Sequence, residues 1–131
     1  MISLDLARRL RDGLVAWTPA PGDRFVVADR DMDCDVFVVS DMVVEVHEHP
    51  AGRILAFNGT TEWALDSVEE QDAVWLPREG QLRNLLGERF VRLEAAPGGF
   101  VVVVDDGGQE VRHVDVDAER AYARALLGLR R

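Results

Sequence analysis

Residues 89–114 constrain the fold of this chain more than any other stretch. Three β-rich segments, 89–95, 100–104 and 109–114, are separated only by Pro97-Gly98-Gly99 and by Asp105-Asp106-Gly107-Gly108. Turns that short can join strands only side by side and antiparallel, because a parallel pair needs a crossover of a dozen or more residues. Asp117 then offers its carboxylate as the N-cap of a last helix. Along that helix Ala118, Ala121, Tyr122, Ala125, Leu126 and Leu129 recur at the spacing of a core-facing stripe, and Arg124, Arg130 and Arg131 sit near its C-terminal end, where the helix dipole favours cations.

The rest of the chain extends the pattern. Ser3 caps a first helix over residues 4–15, with Leu6, Leu10 and Leu14 repeating every fourth residue and Asp5 in the first turn. Thr18-Pro19-Ala20-Pro21-Gly22-Asp23 ends it as a loop. Residues 24–28 and 36–49 read as strands, the second open to a break at Ser40-Asp41. Residues 53–57 and 60–65 flank Asn58-Gly59, which suits the positive φ of a tight hairpin turn. A rival reading makes Thr60 or Thr61 the cap of a helix through Glu69. Trp75-Leu76-Pro77 leads into a short helix ending near Leu86, with Leu82, Leu85 and Leu86 on its apolar stripe and Gly87 just beyond its end. The expected class is α+β in a single domain over residues 1–131: antiparallel β meanders with about three helices packed on one face around one core, or two such small layers sharing that core.

Charge narrows the function. The 131 residues carry 24 acidic side chains against 15 basic ones, all arginine, for a formal net charge of −9. No three basic residues stand consecutively. Phosphate tracking on a nucleic acid and adhesion to an anionic membrane both need such a cationic face, so neither partner is expected. A basic protein is the partner this charge attracts. The single Cys34 permits no intrachain disulfide, and the chain opens without a basic start leading into an apolar run, so a cytoplasmic protein without a signal peptide is expected.

Four local features could carry chemistry. Asp29, Asp31 and Asp33 alternate as in a calcium loop, but the sixth position is Cys34 instead of Gly and the twelfth is Ser40 instead of Glu. With Asp35 they read better as an acidic loop, and as a contact patch for a basic partner. Glu45, His47 and His49 fall on one side of a strand and are candidate metal ligands, which would make the chain a small metal-dependent hydrolase. Solvent-facing strand residues are the plainer account. Cys34 lies between two aspartates, which disfavour its thiolate. Trp75 is a candidate interface anchor, whereas Trp63 reads as core. Motifs for a nucleophile elbow, a zinc-protease helix or a dinucleotide loop are lacking, so neither a catalytic residue nor a cofactor is assigned.

Several segments, among them Gly22-Asp23-Arg24-Phe25-Val26-Val27, Val36-Phe37-Val38-Val39-Ser40-Asp41-Met42, Phe57-Asn58-Gly59-Thr60-Thr61-Glu62-Trp63 and Trp75-Leu76-Pro77-Arg78-Glu79, resemble a group of short actinobacterial proteins, some of them labelled pilus-assembly protein CpaE. The resemblance runs over nearly the whole chain and implies one compact bacterial domain. An ATPase of the MinD/ParA type needs a glycine-rich loop ending in Gly-Lys, and this chain contains no lysine, so no nucleotide-binding residue is carried over. The function expected is a non-catalytic protein-interaction module, accessory or immunity-like, docking on a basic partner. The alternatives are the metal-dependent hydrolase and a structural subunit of a homo-oligomer.

Overall fold

A computed structural model describes residues 1–13, 16–27, 36–39, 43–49, 52–58, 67–69 and 73–129, with the backbone alone described for 43–49, 52–58 and 67–69. The chain divides into two compact units, one formed by Met1–Val15 with Pro77–Arg131 and the other by Ala16–Leu76. The class is α+β, with three helices and antiparallel three-stranded sheets among the described residues.

The first unit holds all three helices. Helix α1 (Leu4–Gly13) starts where Ser3 Oγ accepts the Leu6 N–H at 3.2 Å, and it buries Leu6, Ala7 and Leu10. Helix α2 (Glu79–Leu86) has two side-chain acceptors at its start. Gln81 Oε1 takes the Arg78 N–H at 2.9 Å, and Glu119 Oε2 takes the Glu79 N–H at 2.9 Å. A carboxylate there meets both an orphan donor and the positive end of the helix dipole. Gly87 closes α2 at φ 59°, a conformation open to glycine and costly for other residues. Pro77 lies one residue before the cap instead of in the first helical turn. Helix α3 (Ala118–Gly128) is capped by Asp117, whose Oδ2 accepts the Arg120 N–H at 3.0 Å, and it buries Ala121, Tyr122, Ala123, Ala125 and Leu126.

These helices accompany the meander β7 (Phe90–Ala96), β8 (Gly99–Asp106) and β9 (Gln109–Asp115), in the order β7-β8-β9. Helix α3 lies against β8 and β9, and α1 and α2 pack on α3. Val111 opposes Val104, and Asp106 opposes Gln109 across a two-residue turn in which Gly107 and Gly108 both have positive φ. A bulge at Val91 shifts the β7 register, so that Phe90 and Leu93, three residues apart, lie on the helix-facing side. Val101 to Val104 are all buried, which means that both faces of β8 are covered.

The described part of the second unit is all β. Strand β1 (Arg24–Val27) lies between β2 (Val36–Val38) and β6 (Ala73–Leu76). Phe25 faces Phe37 on one side and Trp75 on the other, and its ring meets those of Phe37 and Trp17 at centroid distances of 5.5 Å each. Trp17, Phe25, Val27, Val39 and Ala73 make the buried cluster of this unit. Asp23 is fixed beside it, accepting Trp17 Nε1–H at 2.9 Å and the Ala20 N–H at 3.0 Å. The second sheet is β3 (Val43–His49), β4 (Gly52–Asn58) and β5 (Ser67–Glu69), in that order.

Two expectations need correction. Ala56 pairs with Ser67 and Ile54 with Glu69, so β4 finds its partner in residues 67–69, a register incompatible with a two-residue Asn58-Gly59 turn. No strand is expected at residues 73–76, yet β6 is there and pairs with β1 along its whole length. Residues 60–65, with Trp63, lie outside the described residues. Among the described residues no helix is long and apolar enough to cross a membrane.

Candidate functional site

Asp29, Asp31, Asp33 and Asp35, with Cys34 among them, lie outside the described residues. Glu45, His47 and His49 take alternate positions on β3, which among the described residues is an edge strand, opposite Ala56, Ile54 and Gly52 of β4. The third histidine, His113, belongs to the other unit, on the helix-facing side of β9 opposite Val102. Burial lowers its pKa below the usual histidine value, against a weaker opposing pull from Asp106. Among the described residues no three metal-ligating side chains are grouped. Trp75 is half-buried and packs on the cluster around Phe25.

The feature that sequence reasoning missed is a lattice of opposite charges on the solvent side of the β7-β8-β9 sheet. Val103 lies between Arg92 of β7 and Arg112 of β9, and Val101 between Glu94 and Val114. Arg92 Nη1 reaches over the sheet to Glu110 Oε1 at 2.7 Å, and Arg112 Nη1 reaches Glu94 Oε2 at 2.8 Å, while Arg92 Nε stands 3.7 Å from the same Glu94 oxygen. Val101 and Val103, on the face that carries these side chains, are 3% and 0% exposed. Its trace in the sequence is the pair Arg-x-Glu on one edge strand and Glu-x-Arg on the other. That trace becomes readable only once both registers on β8 are known.

A second charged group lies where β9 meets α3. Asp115 accepts from Arg124 Nε at 2.8 Å and from the Asp117 N–H at 3.1 Å, with Arg120 Nε 3.2 Å away. Burial pushes its carboxyl up, but the Arg124 bond, the Asp117 N–H and the two guanidinium charges outweigh it and hold the pKa below the ordinary value. Asp117 behaves alike: burial raises it, and the N-terminal ammonium 3.0 Å away together with the Arg120 N–H lowers it further. A third group joins α2 to α3. The Tyr122 hydroxyl accepts from Arg83 Nη2 at 3.0 Å and donates to Glu79 Oε1 at 3.4 Å, and the Arg83 guanidinium stacks 4.7 Å from the Phe90 ring centroid.

These groups cap helices and neutralise one another. They engage Arg83, Arg92, Arg112, Arg120 and Arg124 inside the molecule, and the sequence as a whole keeps a surplus of carboxylates. Comparison of the chain with models of protein families, with curated proteins and with solved structures finds no match.

Proposed function

We propose that this chain is a non-catalytic protein-interaction module that docks on a basic protein partner. The observation that carries the reading is the distribution of charge. The net charge is −9, and the guanidinium groups of both edge strands and of α3 are already paired with carboxylates of the same molecule. A basic surface approaching such a molecule is drawn in by a field of one sign, which raises the association rate and makes it sensitive to salt. The acidic loop with Asp29, Asp31, Asp33 and Asp35 is the contact patch, and Trp75 is the apolar anchor. An accessory or immunity-like role, occupying a basic surface of another protein, is the function this chemistry fits.

The test is capture of partners on the tagged full chain at about 0.05 M and about 0.5 M salt, where the Debye length falls from roughly 14 Å to roughly 4 Å. A basic protein should be held at the lower salt and released at the higher. Replacing Asp29, Asp31, Asp33 and Asp35 together by Asn should slow association of that partner by about tenfold or more while leaving the melting transition in place. Retention that ignores both salt and the four substitutions would overturn the reading.

A further inference from the structure

We propose that the outer edge of β7 recognises a second copy of this chain, whose β7 adds antiparallel about a two-fold axis through Leu93. Among the described residues β7 pairs only with β8, so its other edge presents backbone N–H and C=O groups to whatever approaches. The strand runs from Phe90 to Ala96, and Leu93 is its middle residue. Laid antiparallel on itself in full overlap, it places Leu93 opposite Leu93, Arg92 opposite Glu94 twice, Val91 opposite Ala95 and Phe90 opposite Ala96. An isologous contact must be self-complementary in this way.

The other edge of the same sheet is not matched to itself in full overlap. Strand β9 runs from Gln109 to Asp115 and is centred on Arg112. Its full overlap would put Arg112 opposite Arg112 and Glu110 opposite Val114, a like-charge contact without compensation. Strand β9 sets Glu110 opposite Arg112 only when shifted to a two-fold through Val111, over the five residues 109–113, whereas β7 is matched over its whole length.

The surroundings of β7 agree. Helix α3 covers β8 and β9, and Leu93 is only half-buried on that side, while Val91 and Ala95 are exposed. The bulge at Val91 falls opposite Ala95, so the two bulges would sit at the ends of the seam and leave its three central pairs regular. On the solvent side Arg92 already holds Glu110, and Glu94 already holds Arg112. Joining Arg92 to Glu94 of the second copy would run one alternating row of charge across six strands. The seam is one strand wide, smaller than the interfaces of stable complexes, so the association is weak and depends on concentration. It does not rest on the docking reading, because it needs no other protein.

The experiment is sedimentation of the purified full chain from about 1 μM to about 1 mM at low salt. The mass should climb from 14.6 kDa towards twice that value. Arg92→Glu and Glu94→Arg should each keep the chain monomeric, since each sets like charges against one another at both ends of the two-fold. An equimolar mixture of the two variants should recover the doubled mass. There the new glutamate of one copy faces the new arginine of the other, and the native Glu94 of the first faces the native Arg92 of the second. A stability role of these residues within one copy would show no such recovery. A wild-type chain that stays monomeric throughout, variants that associate as the wild type does, or a mixture no heavier than its components would overturn the proposal. If either variant loses its cooperative melting, the wild type decides alone: its mass at fixed concentration should fall between about 0.02 M and about 0.5 M salt, and a mass indifferent to salt would overturn the proposal.

Discussion

At the scale of the residue, two buried polar side chains carry more than their share of the structure. Asp23, 2% exposed, is the acceptor for the Trp17 indole and for the Ala20 amide. Asp23→Ala leaves an indole N–H without its acceptor beside the aromatic cluster, and a loss of about 1–3 kcal/mol is expected in urea denaturation. Asp23→Asn keeps an oxygen at the site and should lose less. Tyr122 separates packing from hydrogen bonding in the other unit. Its ring is fully buried against Phe90, and its hydroxyl links Arg83 to Glu79. Tyr122→Phe should lower stability by about 1 kcal/mol, and Tyr122→Ala by about 3–5 kcal/mol, because the second change also empties the volume of the ring. Equal losses for the two variants would show that the ring contributes little.

At the scale of the element, the β7-β8-β9 meander sets the strictest local demands. A Cβ on Gly99 would stand 2.6 Å from the Asp115 carbonyl oxygen, which is backbone and cannot turn aside. Gly99→Ala should therefore lower the melting temperature markedly, whereas Gly80→Ala, with open space around its Cβ and a helical position, should leave it equal or higher. The acid limb of stability belongs to this region too. The folded pKa of His113 lies below its usual 6.5, and those of Asp115 and Asp117 lie below 3.8. For groups shifted in that direction the unfolded chain binds more protons, so stability is complete above the unfolded value and is lost as pH falls through the folded one. Melting temperature should decline in two stages, first below about pH 6.5 through His113 and then below about pH 3.8 through the aspartates. His113→Gln should remove the first stage, and Asp115→Asn should flatten the second.

The same element shows what a sequence can and cannot disclose. Gly107-Gly108 and the Asp117 cap were legible because each acts on its immediate neighbours, and the three strands between them followed from the shortness of the turns. Strand β6 was not, since four residues ahead of a proline and a helix show no period, and they become a strand through β1, some fifty residues earlier. Asn58-Gly59 suggested a tight turn by local preference, and the pairing of Ala56 with Ser67 overrode it. The charge lattice was hidden for a related reason: Arg92 and Glu110 are neighbours only after two registers have carried them to either side of β8. Glu45, His47 and His49 were placed correctly on one strand, but alternation along a strand does not itself gather ligands.

At the scale of the whole molecule, charge is the property that speaks to function. A chain with 24 carboxylates and 15 guanidinium groups, several of them already neutralised within the fold, presents a surplus of one sign. Such a surplus favours encounter with a basic surface and opposes nonspecific contact with nucleic acid. The measurement that bears most directly on the docking reading is capture of partners on the full chain at low and at high salt, followed by identification of what is held. A single basic protein retained at about 0.05 M salt and released at about 0.5 M is the expected result. No salt-sensitive partner, or partners as acidic as the chain itself, would contradict it.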